Sequence, residues 1–288
     1  EYDPHCQAHS MHRLGAAALH FGDPVRALNY FEQALSLFKQ GSEPRCEAAT
    51  LNSIGGVYDR QGEKVRALGF YEQALALAKQ TDNREVEVCA HSHIGTTYSV
   101  LGKSARAISH FEQALLLSQQ MGSRSGQASF LRLIGRVYLL EIVDTEKALS
   151  YFEQALSINK QAGNRQGEGT ILNNIGLVYS ARGEKELALS YYERALALHR
   201  QVGSRSGEAD SLANIGRVHT GQGDKQKALS YLEQALSLYT QVGNHVDEAH
   251  TLHAIGRFYF EQGDKQKTLS YLGQALLLYK QVGNRVDE

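Results

Sequence analysis

The residues of this chain that could do chemistry are 12 histidines, three cysteines and a recurring set of arginines. His5, His9 and His12 have helical spacing, Cys6 is adjacent to the first, and His250 and His253 stand three apart. A zinc site needs three or four converging ligands with little slack. Spacing along the chain supplies no such convergence, so these histidines read as surface and groove groups, with no metal and no cofactor. Cys6 and Cys46 stand one period apart, at what read as equivalent inter-repeat turns, and no His–Asp arrangement repeats beside them. Gly-x-Ser-x-Gly, a phosphate loop and a paired-acid motif are all absent, so catalysis within this chain is not expected. The arginines are of another kind. Arg136, Arg217 and Arg257 each follow the glycine of a recurring apolar-Gly pair. A guanidinium fork binds a carboxylate at two points, which suits an acidic or C-terminal peptide segment.

Composition narrows the classes further. The 288 residues carry 30 Lys+Arg against 31 Asp+Glu, a net charge of −1. A dedicated nucleic-acid binder shows a basic excess, so none is expected. No apolar run approaches the length that spans a bilayer, so no membrane contact is expected either. Three cysteines in a chain this long are not a disulfide framework, which suits a reducing, cytoplasmic compartment.

The arginines repeat because the whole chain repeats. Leu14-Gly15, Ile54-Gly55, Ile94-Gly95, Ile134-Gly135, Ile175-Gly176, Ile215-Gly216 and Ile255-Gly256 keep a spacing of 40, with a single 41 in the fourth unit. Ala34, Ala74, Ala114, Ala155, Ala195, Ala235 and Ala275, each followed by Leu, keep the same step. The units run 8–47, 48–87, 88–127, 128–168, 169–208, 209–248 and 249–288. Each reads as two helices. In the fifth, Ile171, Leu172, Ile175, Val178 and Tyr179 recur at helical steps. After Ala181-Arg182-Gly183-Glu184 a second run follows through Leu187, Ala188, Tyr191, Tyr192, Ala195 and Leu198. Gly176, Ala188 and Ala195 let the two backbones approach, where larger side chains would overpack the pair. Asp23-Pro24, Asp224 and Asp264 read as caps of second helices. First helices of roughly 20 Å, second helices of roughly 25 Å and about three quarters helix are expected. The fourth unit lacks the turn glycine, so a longer turn is expected within residues 140–145.

The pattern Leu-x-x-Ile-Gly-x-x-Tyr … Ala-x-x-x-Tyr-x-x-Ala, in the second unit Leu51, Ile54, Gly55, Tyr58, Ala67, Tyr71 and Ala74, resembles the tetratricopeptide repeat (TPR) over nearly the whole chain. The unit is longer than that family's usual 34 residues and lacks its closing proline. The longer type is similar to kinesin-light-chain-like repeats. It is also similar to bacterial, especially cyanobacterial, arrays that read as Gln201-Val202-Gly203-Ser204-Arg205-Ser206-Gly207-Glu208-Ala209 does. Such arrays often sit beside a peptidase or NTPase domain.

The resemblance implies an all-α, right-handed superhelical solenoid whose first helices line a concave groove. Carried over by position, that groove presents Arg132, Arg136, Asn173, Asn174, Asn214, Arg217, His253 and Arg257. Asn at the place of Asn174 and Asn214 commonly bonds an extended peptide's backbone in this family. The expected function is a protein-interaction scaffold that binds a peptide segment in the groove. The alternative is a sensor or regulatory arm for an attached peptidase or NTPase domain. Arg136→Glu with Arg217→Glu is expected to abolish partner capture. Tyr58, Tyr98, Tyr138, Tyr179 and Tyr259 read as packing residues. Both ends fall at a repeat turn with no polar cap, which reads as a piece of a longer array. The last helix is expected to expose apolar surface at Tyr271, Ala275 and Leu278, open to end-to-end stacking with another copy.

Overall fold

Many of the helices begin where a side chain caps the first turn, and most stop where the next residues turn left-handed. The computed structural model describes residues 4–287, with side chains for residues 5–281. Its contacts divide the chain after Val137. The first unit holds α1 (Pro4–His20), α2 (Pro24–Gln40), α3 (Pro44–Arg60), α4 (Lys64–Gln80), α5 (Arg84–Val100), α6 (Ser104–Gln120) and α7 (Arg124–Val137). The second holds a π-helical turn, Tyr138–Ile142, and then α8 (Thr145–Gln161), α9 (Arg165–Ala181), α10 (Lys185–Gln201), α11 (Arg205–Gln222), α12 (Lys225–Val242), α13 (His245–Glu261) and α14 (Lys265–Asp287). Helix accounts for 87% of the described residues, which contain no strand.

Caps explain the starts. Asp23 accepts the Arg26 N–H, Asn83 that of Val86, Asn164 that of Gly167 and Asp224 that of Lys227. Asp264 does the same for Lys267. Each bond satisfies one of the orphan donors of a first turn. These starts also correct the expected lengths. First and second helices alike run 17 or 18 residues through most of the chain, about 25 Å, because first helices begin at the cap, four residues ahead of the unit limits. Cys46 accordingly lies in the first turn of α3 and not in a connecting turn.

The fourth unit departs from expectation in an informative way. Its turn is no longer than the others. Val143 takes the left-handed place that Gly102 and Gly183 hold elsewhere, at φ 60°, and Asp144 caps α8 normally. The extra residue is absorbed inside the helix as the π turn. Where Lys103 N–H bonds Tyr98 O, Asp144 N–H must reach back one residue further, to Tyr138 O at 2.8 Å. A π-bulge keeps residues before and after it in register with their faces. The cost is a β-branched residue in a conformation that glycine adopts freely.

Packing follows the small residues. In both units consecutive helices pair as hairpins, and each second helix packs on the next first helix. In the first unit the rings of Phe31, Tyr71 and Phe111 sit against Gly15, Gly55 and Gly95. In the second, Tyr192, Leu232 and Leu272 sit against Gly176, Gly216 and Gly256. Ala27, Ala67, Ala107, Ala188 and Ala228 are buried at the matching place on the partner helix. Tyr58 stacks on Phe70, Tyr138 on Tyr151, Tyr179 on Tyr191 and Tyr259 on Tyr271, which makes these tyrosines hairpin packing groups.

The last helix also needs a correction. Ala275 is buried against the rest of the unit. The apolar side chains that α14 leaves exposed are Leu269, Leu276, Leu277 and Tyr279. Of these, Tyr279 still reaches α13, where its hydroxyl lies 2.9 Å from His250 Nδ1, and Leu272 seats on Gly256 of the same helix.

Candidate peptide-binding surface

The sequence-derived groove residues fall in both units. In the first, α7 carries Arg132 and Arg136. Arg136 is exposed and Arg132 half-buried, and burial with the neighbouring Arg136 charge pushes the Arg132 guanidinium down. The other six lie in the second unit, on α9, α11 and α13.

The three asparagines are all buried, and their side-chain bonding differs. Asn173 Nδ2 donates to Ser211 Oγ at 2.9 Å, and Ser211 Oγ donates to Gly207 O at 2.8 Å, a buried tie between α9 and α11. Asn173 thus spends its Nδ2 on packing, while its buried Oδ1 has no hydrogen-bond partner. Asn174 is buried too, but its Nδ2 has no hydrogen-bond partner. A buried amide left without a partner costs free energy that a ligand carbonyl could recover. Asn214, also buried, accepts from Arg217 Nη1 at 3.1 Å, which holds that guanidinium over α11. Below it Asp210 accepts the Tyr239 hydroxyl at 2.7 Å. Burial pushes the Asp210 carboxyl up, with Asp247 adding to the shift and Tyr239 and Arg217 opposing it.

Arg217 and Arg257 are the predicted residues that the fold brings together. Both line a cleft of about 390 Å³ among α11, the start of α12 and α13. Its basic rim is completed by Lys225, and Glu261 is its one acid. Ala228, Leu232, Ala254 and Phe258 make the apolar floor. Cations around an apolar floor suit a carboxylate carried beside an apolar side chain. His253 is exposed on α13 and is not among the lining residues.

Sequence reasoning missed Lys225 and the floor. A signal for the floor was present. Phe258 stands where the earlier units have Val57, Thr97, Val137, Val178 and Val218, so the seventh unit alone places a large ring beside its arginine. Lys225 gave none, because the fold alone carries the start of α12 to the first helix of the next repeat.

No helix among the described residues is long and apolar enough to cross a membrane. No curated protein matches the sequence. Solved structures do resemble the fold. The apo form of RapI superposes with a TM-score of 0.76 at 15% identity, covering 96% of this chain and 99% of that one. The Rap conjugation gene regulator of plasmid pLS20, in complex with the Phr* peptide, gives 0.66 at 18% identity over 95% and 74%. A signal transduction ATPase with a tetratricopeptide repeat sensor from Pyrococcus horikoshii gives 0.69 at 16% identity over 97% and 44%. The tetratricopeptide repeat family itself matches residues 6–80, 87–161, 167–241 and 207–281. With those matches spanning most of the sequence, and glycine-seated hairpins repeating through both units, the chain belongs to the tetratricopeptide repeat family.

Proposed function

We propose that this protein is an interaction scaffold that captures an acidic or C-terminal segment of a partner protein, with Arg217 and Arg257 as the carboxylate-binding pair. The observation that carries the reading is the cleft itself, which joins two arginines and Lys225 to an apolar floor. Asn174, with its amide unpartnered, is the candidate donor to the segment's backbone. His253 belongs to the reading as a further contact on α13, and Arg132 and Arg136 are a separate candidate contact pair within the first unit. That a Rap regulator has been solved with a peptide supports peptide capture by this fold in general terms. The reading assigns no catalytic step to the chain. A second reading, a sensor arm for an attached catalytic domain, draws on the ATPase whose repeat region is described as a sensor.

An array of synthetic peptides with acidic and free C-terminal sequences tests the first reading. Arg217→Glu with Arg257→Glu is expected to weaken the best peptide about a hundredfold, since charged hydrogen bonds contribute roughly 1.5–3 kcal/mol each. The helical circular dichroism should not change, because both side chains are exposed. Equal binding by the double variant, in fluorescence anisotropy, would sink the proposal.

Self-association through the final helix is a further part of the proposal, and it rests on Leu269, Leu276 and Leu277. Sedimentation should show a concentration-dependent species that Leu269→Glu with Leu277→Glu removes. A monomer at every concentration would refute it.

A further inference from the structure

The corner where α1 meets the start of α3 gathers four metal-ligating side chains that peptide capture does not use. His5 and His9 lie one turn apart on α1, so their rings project from the same face. Glu43 stands at the position just before α3, and Cys46 lies in the first turn of that helix. His5 Nδ1 stands 2.7 Å from Glu43 Oε1. Ligand atoms of His5, His9 and Glu43 lie within 4.8 Å of one another. Cys46 Sγ is 4.0 Å from His9 Nε2, and its thiol also hydrogen-bonds the Glu43 carboxylate.

Glu43 breaks the pattern of its own position. The same place before later first helices is held by Asn83, Ser123, Asn164, Ser204 and Asn244. Asn83, Asn164 and Asn244 use their side chains to cap the helix, and Glu43 does not. Its carboxylate reaches across to His5 instead, giving up a cap bond worth about 1 kcal/mol. The histidines are equally local. Their places are taken by Arg45 and Ala49 in the second repeat and by Glu85 and Cys89 in the third. A feature that repeats in every unit is architecture, whereas this set occurs at one corner.

We propose that His5, His9, Glu43 and Cys46 form a four-ligand site for a divalent transition-metal ion of the zinc class. Two imidazoles, a carboxylate and a thiolate are the donor set of a borderline-soft, tetrahedral ion. Bonds of 2.0–2.3 Å at tetrahedral angles separate neighbouring ligand atoms by about 3.3–3.6 Å. His5 and Glu43 then part by under about an ångström, and the wider pairs close by up to about 1.5 Å. His5 is exposed, and His9, Glu43 and Cys46 are each partly exposed, so side-chain rotation alone supplies these shifts. The proton that His5 and Glu43 share is replaced by the ion, and the Cys46 thiol proton is released to solvent, so affinity rises with pH. The bound ion ties the first repeat to the second.

Zinc chloride titrated into the full chain tests this by calorimetry and thermal melting. One ion per chain and a rise in melting temperature are expected, because a ligand that binds only the folded state stabilises it. Glu43→Asn restores the cap used elsewhere and should fold at least as well, yet bind zinc at least about tenfold more weakly. His9→Gln should weaken binding likewise. The cobalt form should show a thiolate-to-cobalt charge-transfer band that Cys46→Ser removes and Cys6→Ser retains. Zinc without effect on melting, unchanged affinity in Glu43→Asn and His9→Gln, or a band surviving Cys46→Ser would each overturn the site.

Discussion

Gly176→Ala and Gly273→Ala are expected to move stability in opposite directions, although both place a methyl group on a helix. A Cβ at Gly176 would lie 2.5 Å from the Tyr192 ring, closer than real Cβ atoms come. Tyr192 is only 1% exposed, so its ring has nowhere to retreat without moving α9 from α10. Overpacking of this kind costs about 1–3 kcal/mol, more than the roughly 1 kcal/mol that alanine gains over glycine in a helix. Gly176→Val adds two further methyls at the same spot and should cost about 3 kcal/mol or more. A Cβ at Gly273 would meet nothing within 4 Å, so Gly273→Ala should keep the helix gain, about 1 kcal/mol. Urea unfolding followed by circular dichroism distinguishes the cases. A stabilising Gly176→Ala would show that the hairpins are looser than the ring contacts imply.

Acid should destabilise the first unit through His91. That ring is 4% exposed, with its Nδ1 2.9 Å from the His110 Nδ1 and its Nε2 without a partner. Burial pushes its pKa down to about 4, and the His110 and Lys79 charges add to the shift. The unfolded chain takes up its proton near pH 6.5, so between pH 6.5 and about 4 the unfolded state binds more protons. Stability is therefore full above pH 6.5 and falls as the pH drops through that window, by roughly 3 kcal/mol between pH 7 and pH 4. His199 in the second unit acts in the same direction. Burial lowers its pKa, against opposing effects of the Gly169 backbone and Glu208. Its ring occupies the space left by the missing side chains of Gly169 and Gly207. His91→Gln should flatten the pH dependence of unfolding. A slope that the variant leaves unchanged would assign the effect to other groups.

The family and the helix pairs were legible because their causes are local. The Ile-Gly step of forty residues, the caps at Asp23, Asp224 and Asp264 and the left-handed glycines act within a few residues of themselves. So does the choice of Gly176 opposite Tyr192, once two helices are known to alternate. Arg217 and Arg257 were legible as a pair for a related reason, since equal positions in successive repeats face the same way.

What resisted reading was everything decided by a third element. Position alone expects Asn173 on the groove wall, and only the fold shows its Nδ2 donating to Ser211 Oγ on α11. Helical spacing of His5 and His9 shows half of a ligand set. The other half, Glu43 and Cys46, arrives only when α2 returns the chain beside α1. The extra residue of the fourth unit could be counted from the sequence. Whether it would lengthen a turn or bulge a helix depended on Tyr138 keeping its stack on Tyr151 while Asp144 kept its cap. The sequence by itself thus determined the repeat, the helices and the types of residue that face inward, because those follow from backbone chemistry at short range. The tertiary structure alone decided which polar groups are spent on packing and which remain for a ligand, because hydrogen-bond partners and burial come from neighbouring helices.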